Sequence, residues 1–190
     1  MDQKITRNFS YYEYAPNSQG GNWFPCSEYQ KCLIDEHAQN LQIVRNALPA
    51  KATMRITSGV RVESDTDRLR VNGYNPSTTS DHYFGYAPRI PVGSSKYNKY
   101  GPTFNFAIGA ADVVPTVVSA FELFKIAVSL TSFGSCHFGQ IIYEKHGSSE
   151  WVHFGNDPRM FLSPSIVRFL GRSRFMQSLD GGKTYTSVIL

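Results

Sequence analysis

Apolar residues change their period several times along this 190-residue chain, and each change marks an element. In "LIDEHAQNLQIVRNAL" (33–48) they recur at Ile34, Ala38, Leu41, Val44 and Leu48, the spacing of an amphipathic helix, which Pro49 ends. His37 lies beside that stripe, so a helix-surface or boundary position is expected for it. "TMRITSGVR" (53–61) alternates like a short strand and breaks at Gly59. Residues 62–105 are polar and rich in turn formers, which predicts a long loop, and loops of such length are functional or mobile. "AADVVP" (110–115) reads as a buried strand, and "TVVSAFELFKIAVSL" (116–130) as a second amphipathic helix stopped near Gly134. "GQIIYE" (139–144) and "EWVHF" (150–154) read as two strands of a hairpin turning at "KHGSS". Residues 1–29 read as irregular. Residues 156–190 predict a short helix at "SPSIVRFL" and a polar tail. Helices interleaved with short hairpin-linked strands predict an α+β fold rather than a doubly wound sheet.

Apolar content of 41% and charged content of 18% exclude wholesale disorder, and the length suits one domain with extensions. A net charge of +4 implies an anionic partner, whether nucleic acid, membrane surface or cell-wall polymer. The basic residues near the C-terminus are few and scattered, so no nucleic-acid partner is expected. The greasiest stretch, 116–130, carries Glu122 and Lys125 and is too short to span a bilayer, so no membrane span is expected either. The N-terminal "MDQKITRNFSYYEYAP" lacks an apolar signal-peptide core, which places the chain in the cytoplasm at synthesis. Cys26, Cys32 and Cys136 are odd in number and build no disulfide framework; they read as buried or incidental thiols.

Three short stretches carry candidate chemistry. "STTSDHYFG" holds Ser80 and His82 in a turn-rich loop, "IGAADVVP" sets Asp112 behind small residues, and "SSEWVHFG" places Glu150 three residues before His153. Two imidazoles and one carboxylate at strand or loop edges suit a tetrahedral Zn²⁺ with one open position, and an acid beside that position suits a general base. The bare spacing H-x29-D-x40-H has no specificity of its own. No HExxH helix is present, which excludes the conventional zincin arrangement.

The words around these residues supply the specificity. "NFSYYEY" (8–14), the helix at 33–48, "TSGVR" (57–61), "SDHYFG" (80–85), "AADVV" (110–114) and "GQIIYEKHGSSEWVHFG" (139–155) occur in that order. In this order and wording the chain resembles the zinc-dependent M15 peptidases, the D-Ala-D-Ala carboxypeptidase and phage-endolysin family with the Hedgehog/DD-peptidase fold. The resemblance covers roughly residues 8–155 and implies a small, mainly antiparallel sheet packed against helices. It implies a peptidase domain over 1–155, with 86–108 inserted between the first histidine and the aspartate, followed by a C-terminal extension over 156–190.

What the resemblance implies for the site is specific. His82, Asp112 and His153 match the zinc ligands. Glu150 matches the acid of the family's E-x-x-H and is the first choice of base; Glu144, of "IYE", is the alternative, as base or as a partner that orients a ligand. Arg61 matches the arginine that holds a substrate carboxylate or carbonyl, and Ser80 a serine that assists substrate binding. The implied activity is hydrolysis of peptidoglycan stem peptides by a monomeric D,D-carboxypeptidase or endopeptidase. Such an enzyme would reach the wall through host lysis machinery or on a virion. A wall-binding or virion-associated module without turnover is the alternative on the same fold.

Overall fold

The computed structural model describes residues 3–19, 23–25, 27–74, 76, 80–85, 108–161 and 174–188. Residues 86–107 of the insertion expected at 86–108, the short helix expected at 163–170 and Cys26 lie outside the described residues.

Among the described residues the architecture is α+β: a six-stranded mixed sheet with three α-helices. The strands are β1 (Thr53–Ser58), β2 (Ala110–Thr116), β3 (Phe138–His146), β4 (Ser149–Asn156), β5 (Arg174–Ser178) and β6 (Thr186–Ser187), in the order β1-β2-β4-β3-β5-β6. All neighbours run antiparallel except β3 and β5, which are parallel. The helices are α1 (Glu28–Ala47), α2 (Glu63–Val71) and α3 (Ala120–Ser132). No described helix is long and apolar enough to cross a membrane.

Strand periodicity sorts the side chains. Met54 and Ile56 of β1, Ala111 and Val113 of β2, Ile141 and Tyr143 of β3, and Val152 and Phe154 of β4 all enter one core. Leu33, Ile34, Ala38, Leu41 and Val44 of α1 close over it, as do Leu123, Phe124 and Ala127 of α3. Both helices start on serine caps: Ser27 Oγ accepts from the Gln30 amide, and Ser119 and Glu122 form a reciprocal capping box. The alternate strand positions, Asp112, Val114, Ile142, Glu144, Trp151 and His153, line a cleft on the other face.

Three expectations need correction. α2 occupies the start of the stretch expected to be loop; its sequence "ESDTDRLRV" is so polar that no apolar period shows, and Asp65 caps it by accepting from the Val62 amide (3.3 Å). β5 and β6 stand where a polar tail was expected, and β5 is hydrogen-bonded to β3, so the described part of 156–190 is built into the sheet. His37 is not at a boundary but wholly buried.

The placement of His37 has a clear rationale. Its Nε2–H donates to the Phe154 carbonyl (2.9 Å), which can only accept, so Nδ1 is bare and accepts from the Tyr14 hydroxyl (2.8 Å). The ring thus ties α1 to β4 beside His153, and its complete burial favours the neutral form. Burial lowers its pKa to about 3. In the unfolded chain the ring protonates near pH 6.5, so its contribution to stability is complete above that pH and is lost as pH falls toward 3. Urea unfolding of the wild type should show about 3 kcal/mol of this loss between pH 7 and pH 4. His37→Gln, which does not titrate, should flatten that part of the pH dependence; an unchanged slope would rule the linkage out.

Candidate metal centre

The three residues expected as ligands converge. Asp112 of β2 and His153 of β4 are direct partners in the strand register, so both side chains leave the same face side by side. His82 approaches from above, on a 3₁₀ turn over Asp81–Tyr83. His82 Nε2, His153 Nδ1 and Asp112 Oδ1 form a triangle with edges of 3.2, 3.3 and 3.0 Å. A tetrahedral cation with bonds of about 2.0–2.1 Å spans ligand pairs about 3.3 Å apart. Among the described residues this His–Asp–His group could therefore hold a metal ion.

The turn that carries His82 is held by bonds that orient the ring. Its Nδ1–H donates to the Gly59 carbonyl (2.9 Å), which leaves the Nε2 lone pair facing the cluster. The His82 carbonyl accepts from the Arg61 amide (2.9 Å), and Ser80 Oγ accepts from the His82 amide (3.3 Å). Gly59 is fixed by contact: a Cβ there would stand 2.6 Å from Tyr14 Cα. The segments that flank residues 86–107 are held in the same way. A Cβ on Gly109 would stand 2.5 Å from the Phe84 ring, so the chain leaving His82 and the chain entering β2 touch. Gly109, at φ +107°, is also where only glycine is comfortable.

Charge and burial at the triangle act together. Burial and the nearby Arg61 lower His82 to about 4, so its imidazole is neutral at pH 7. Burial opposes charge on Asp112, but His82 and His153 outweigh it and hold the carboxyl well below its usual range. Burial also opposes charge on His153, and there the hydrogen bond and charge of Asp112, with Glu144 behind it, raise the pKa. Three lone-pair atoms meeting at one point need something positive between them. A proton on His153 can bridge two of them, whereas a cation satisfies all three.

The remaining site residues divide. Arg61 is buried at the cleft wall; one terminal nitrogen donates to Ser80 Oγ (3.3 Å), and its buried Nε has no partner among the described residues. Ser80 lines the cleft beside it. Glu150 does not share the face of the triangle. It pairs in register with Lys145, on the strand parity of Val152 and Phe154, and its carboxylate bonds Lys145 Nζ (3.0 Å) at the edge of the cleft. Three residues is an odd step along a strand, so Glu150 and His153 point to opposite faces. Glu144 is the acid on the ligand face: it pairs with Trp151, two positions from the Ile142–His153 pair. It is buried, and desolvation together with the charge of Asp112 raises its pKa.

The sequence reading missed Tyr185 and Trp151. Tyr185, between β5 and β6, donates its hydroxyl to Glu144 Oε1 (3.2 Å). Trp151 turns its buried indole N–H toward the same carboxylate without closing a bond of ordinary geometry, and its pull lowers the acid's pKa against the stronger effect of burial. Trp151 stands in the "EWVHF" stretch, but its pairing with Glu144 is set by the strand register, and nothing local marks Tyr185. Neither His137 nor His146 joins the metal group; His146 packs edge-on against Tyr74 (4.7 Å between centroids).

Comparison with known families, with curated proteins and with solved structures finds no match to this chain.

A cation held by the folded state alone must stabilise it. At a free concentration of 1,000 times Kd, Zn²⁺, Co²⁺ or Ni²⁺ should add about 4 kcal/mol and raise the melting midpoint by about 8–16 °C, reversibly with chelator. Asp112→Asn should remove most of that rise in a thermal melt. An equal rise in wild type and variant would place the metal elsewhere.

Proposed function

We propose that this chain is a zinc-dependent peptidase of the M15 type, with a Hedgehog/DD-peptidase arrangement, that hydrolyses peptidoglycan stem peptides as a D,D-carboxypeptidase or an endopeptidase. One observation carries the reading: residues at 82, 112 and 153 meet on one sheet face, beside a buried acid and a buried arginine, in a cleft of about 1130 Å³. Two imidazoles and one carboxylate with an open side favour zinc over magnesium or calcium, which prefer more oxygen ligands. When bound, zinc supplies Lewis acidity toward a peptide carbonyl and a water acidified to a pKa of about 7.

The protein's own groups do the rest. We assign the general base to Glu144 rather than Glu150, because Glu144 shares the ligand face and Glu150 is committed to Lys145 on the other. Its raised pKa suits an acid that takes a proton from the attacking water and returns it to the leaving amine. Arg61, whose buried Nε has no acceptor among the described residues, can donate to a peptide carboxylate or carbonyl in the cleft. Ser80 braces that guanidinium and lines the same cleft. The net charge of +4 suits an anionic wall polymer. Access to the wall would come through host lysis machinery or virion carriage.

Muropeptide digestion followed by mass spectrometry tests the assignment. Zinc-loaded protein should release peptide and stop with chelator. Glu144→Gln should lower kcat by about 10²–10⁴-fold, a general base's usual contribution. Glu150→Gln should stay within about threefold, as an exposed ion pair contributes little. The reverse ranking would return the base to Glu150. Zinc binding without any peptide release would leave a wall-binding module as the function.

A further inference from the structure

We infer that Tyr185 is a positioning residue of the site: its hydroxyl fixes the Glu144 carboxylate on the ligand face, and the β5–β6 hairpin exists to deliver it there. This rests on the assignment of Glu144 as the base. The hairpin lies beyond residue 155, outside the stretches that carry the resemblance to the zinc peptidases.

The delivery is built from several independent contacts. β5 lies parallel to β3 with Ser178 opposite Glu144, so the connecting loop starts alongside the acid. The loop is tied into a knot. Asp180 Oδ1 accepts from Ser178 Oγ (2.9 Å) and from the amides of Lys183 and Thr184 (3.0 Å each), while Oδ2 accepts from Thr184 Oγ1 (2.6 Å). Buried Ser178 Oγ accepts in turn from the Gly182 amide (3.0 Å), and the Gly181 amide donates to the Lys145 carbonyl (3.0 Å), which docks the loop on β3 one residue beyond Glu144. Thr186 and Ser187 then pair back onto Gln177 and Met176. Tyr185 is therefore placed by bonds on both sides of it.

The glycines show that the hydroxyl itself is placed. Both Gly181 (φ +74°) and Gly182 (φ +83°) occupy the left-handed region. A Cβ on Gly182 would stand 2.8 Å from the Tyr185 hydroxyl oxygen, and one on Gly181 would stand 3.0 Å from the His146 ring. The backbone of Gly182 thus backs the hydroxyl while Glu144 Oε1 faces it. A tyrosine needed only as apolar filling would not need its hydroxyl clamped between a carboxylate and a side-chain-free backbone. Holding Oε1 leaves the second carboxylate oxygen to accept the proton, which fixes the direction of transfer without itself touching substrate.

The full-length, zinc-loaded protein tests this with muropeptides as the probe. Tyr185→Phe should lower kcat about tenfold, with KM, zinc content and melting midpoint unchanged, since it removes one hydrogen bond to a charged group. Gly182→Ala should lower kcat similarly by displacing the hydroxyl. Adding Tyr185→Phe to Glu144→Gln should cost nothing further. Unchanged kcat, a loss confined to KM, or full additivity with Glu144→Gln would each overturn the inference. A second readout needs no turnover: the Glu144 carboxyl ¹³C resonance, assigned through Glu144→Gln, should shift in Tyr185→Phe. If it stays in place the inference fails. If it shifts in a protein that releases no peptide, the positioning contact stands and the hydrolase reading falls.

Discussion

An ionised carboxylate buried between two imidazoles is tolerable only with compensating positive charge, and this constraint organises one whole side of the molecule. Asp112 is held in its charged form by His82 and His153 against the cost of its burial. Each imidazole must then present a lone pair or a proton to the same small volume. His82 is fixed as a lone-pair donor because Gly59 takes its other ring nitrogen. The neighbouring acid, Glu144, is pushed toward its neutral form by its own burial and by the negative charge of Asp112. Two carboxyl groups on one face are thereby driven apart in pKa, one suited to ligation and one to proton transfer.

The other face of the sheet makes this arrangement affordable. Val152 and Phe154 alternate with Trp151 and His153, so the residues that bury apolar surface and the residues that carry chemistry share one strand. Displacing the core residues moves the ligands with them. His37 couples the two layers directly, since it is buried under the sheet yet bonds the carbonyl of the residue after His153. Packing of α1 thus sets the height of β4 at the point where a ligand leaves it.

What the sequence revealed follows from what is local. The α1 and α3 stripes, the β3–β4 hairpin and the small residues before Asp112 are written in short periods and turn chemistry, and the α+β class follows from them. His82, Asp112 and His153 were singled out from the short stretches that carry them, and the fold brings the three together. Glu150 was misleading for a physical reason: linear proximity to His153 looks favourable, but in a strand an odd separation sends the two side chains to opposite faces. The cross-strand register, which a sequence does not display, selects Glu144 for the ligand face instead. α2 escaped notice because its face toward the protein is too polar to print a period. β5, β6 and Tyr185 escaped because a parallel pairing with β3 depends on contacts far apart in the chain.

The split between His82 and Asp112 shows where this architecture tolerates change. Closing a longer loop costs only about 0.6 kcal/mol for each doubling of its length, provided its ends are held. Here they are, because Phe84 and Gly109 touch, and His82 depends on Gly59, Ser80 and Arg61 rather than on the segment that follows it. An insertion at that point leaves the triangle intact. The same insertion within β3 or β4 would not be neutral: a slip of one residue would turn His153 into the core and Val152 or Phe154 into the cleft. Chain length between Phe84 and Gly109 is therefore free to vary where His82 and Asp112 have separate anchors, whereas the strands whose alternation places His153 have no such freedom.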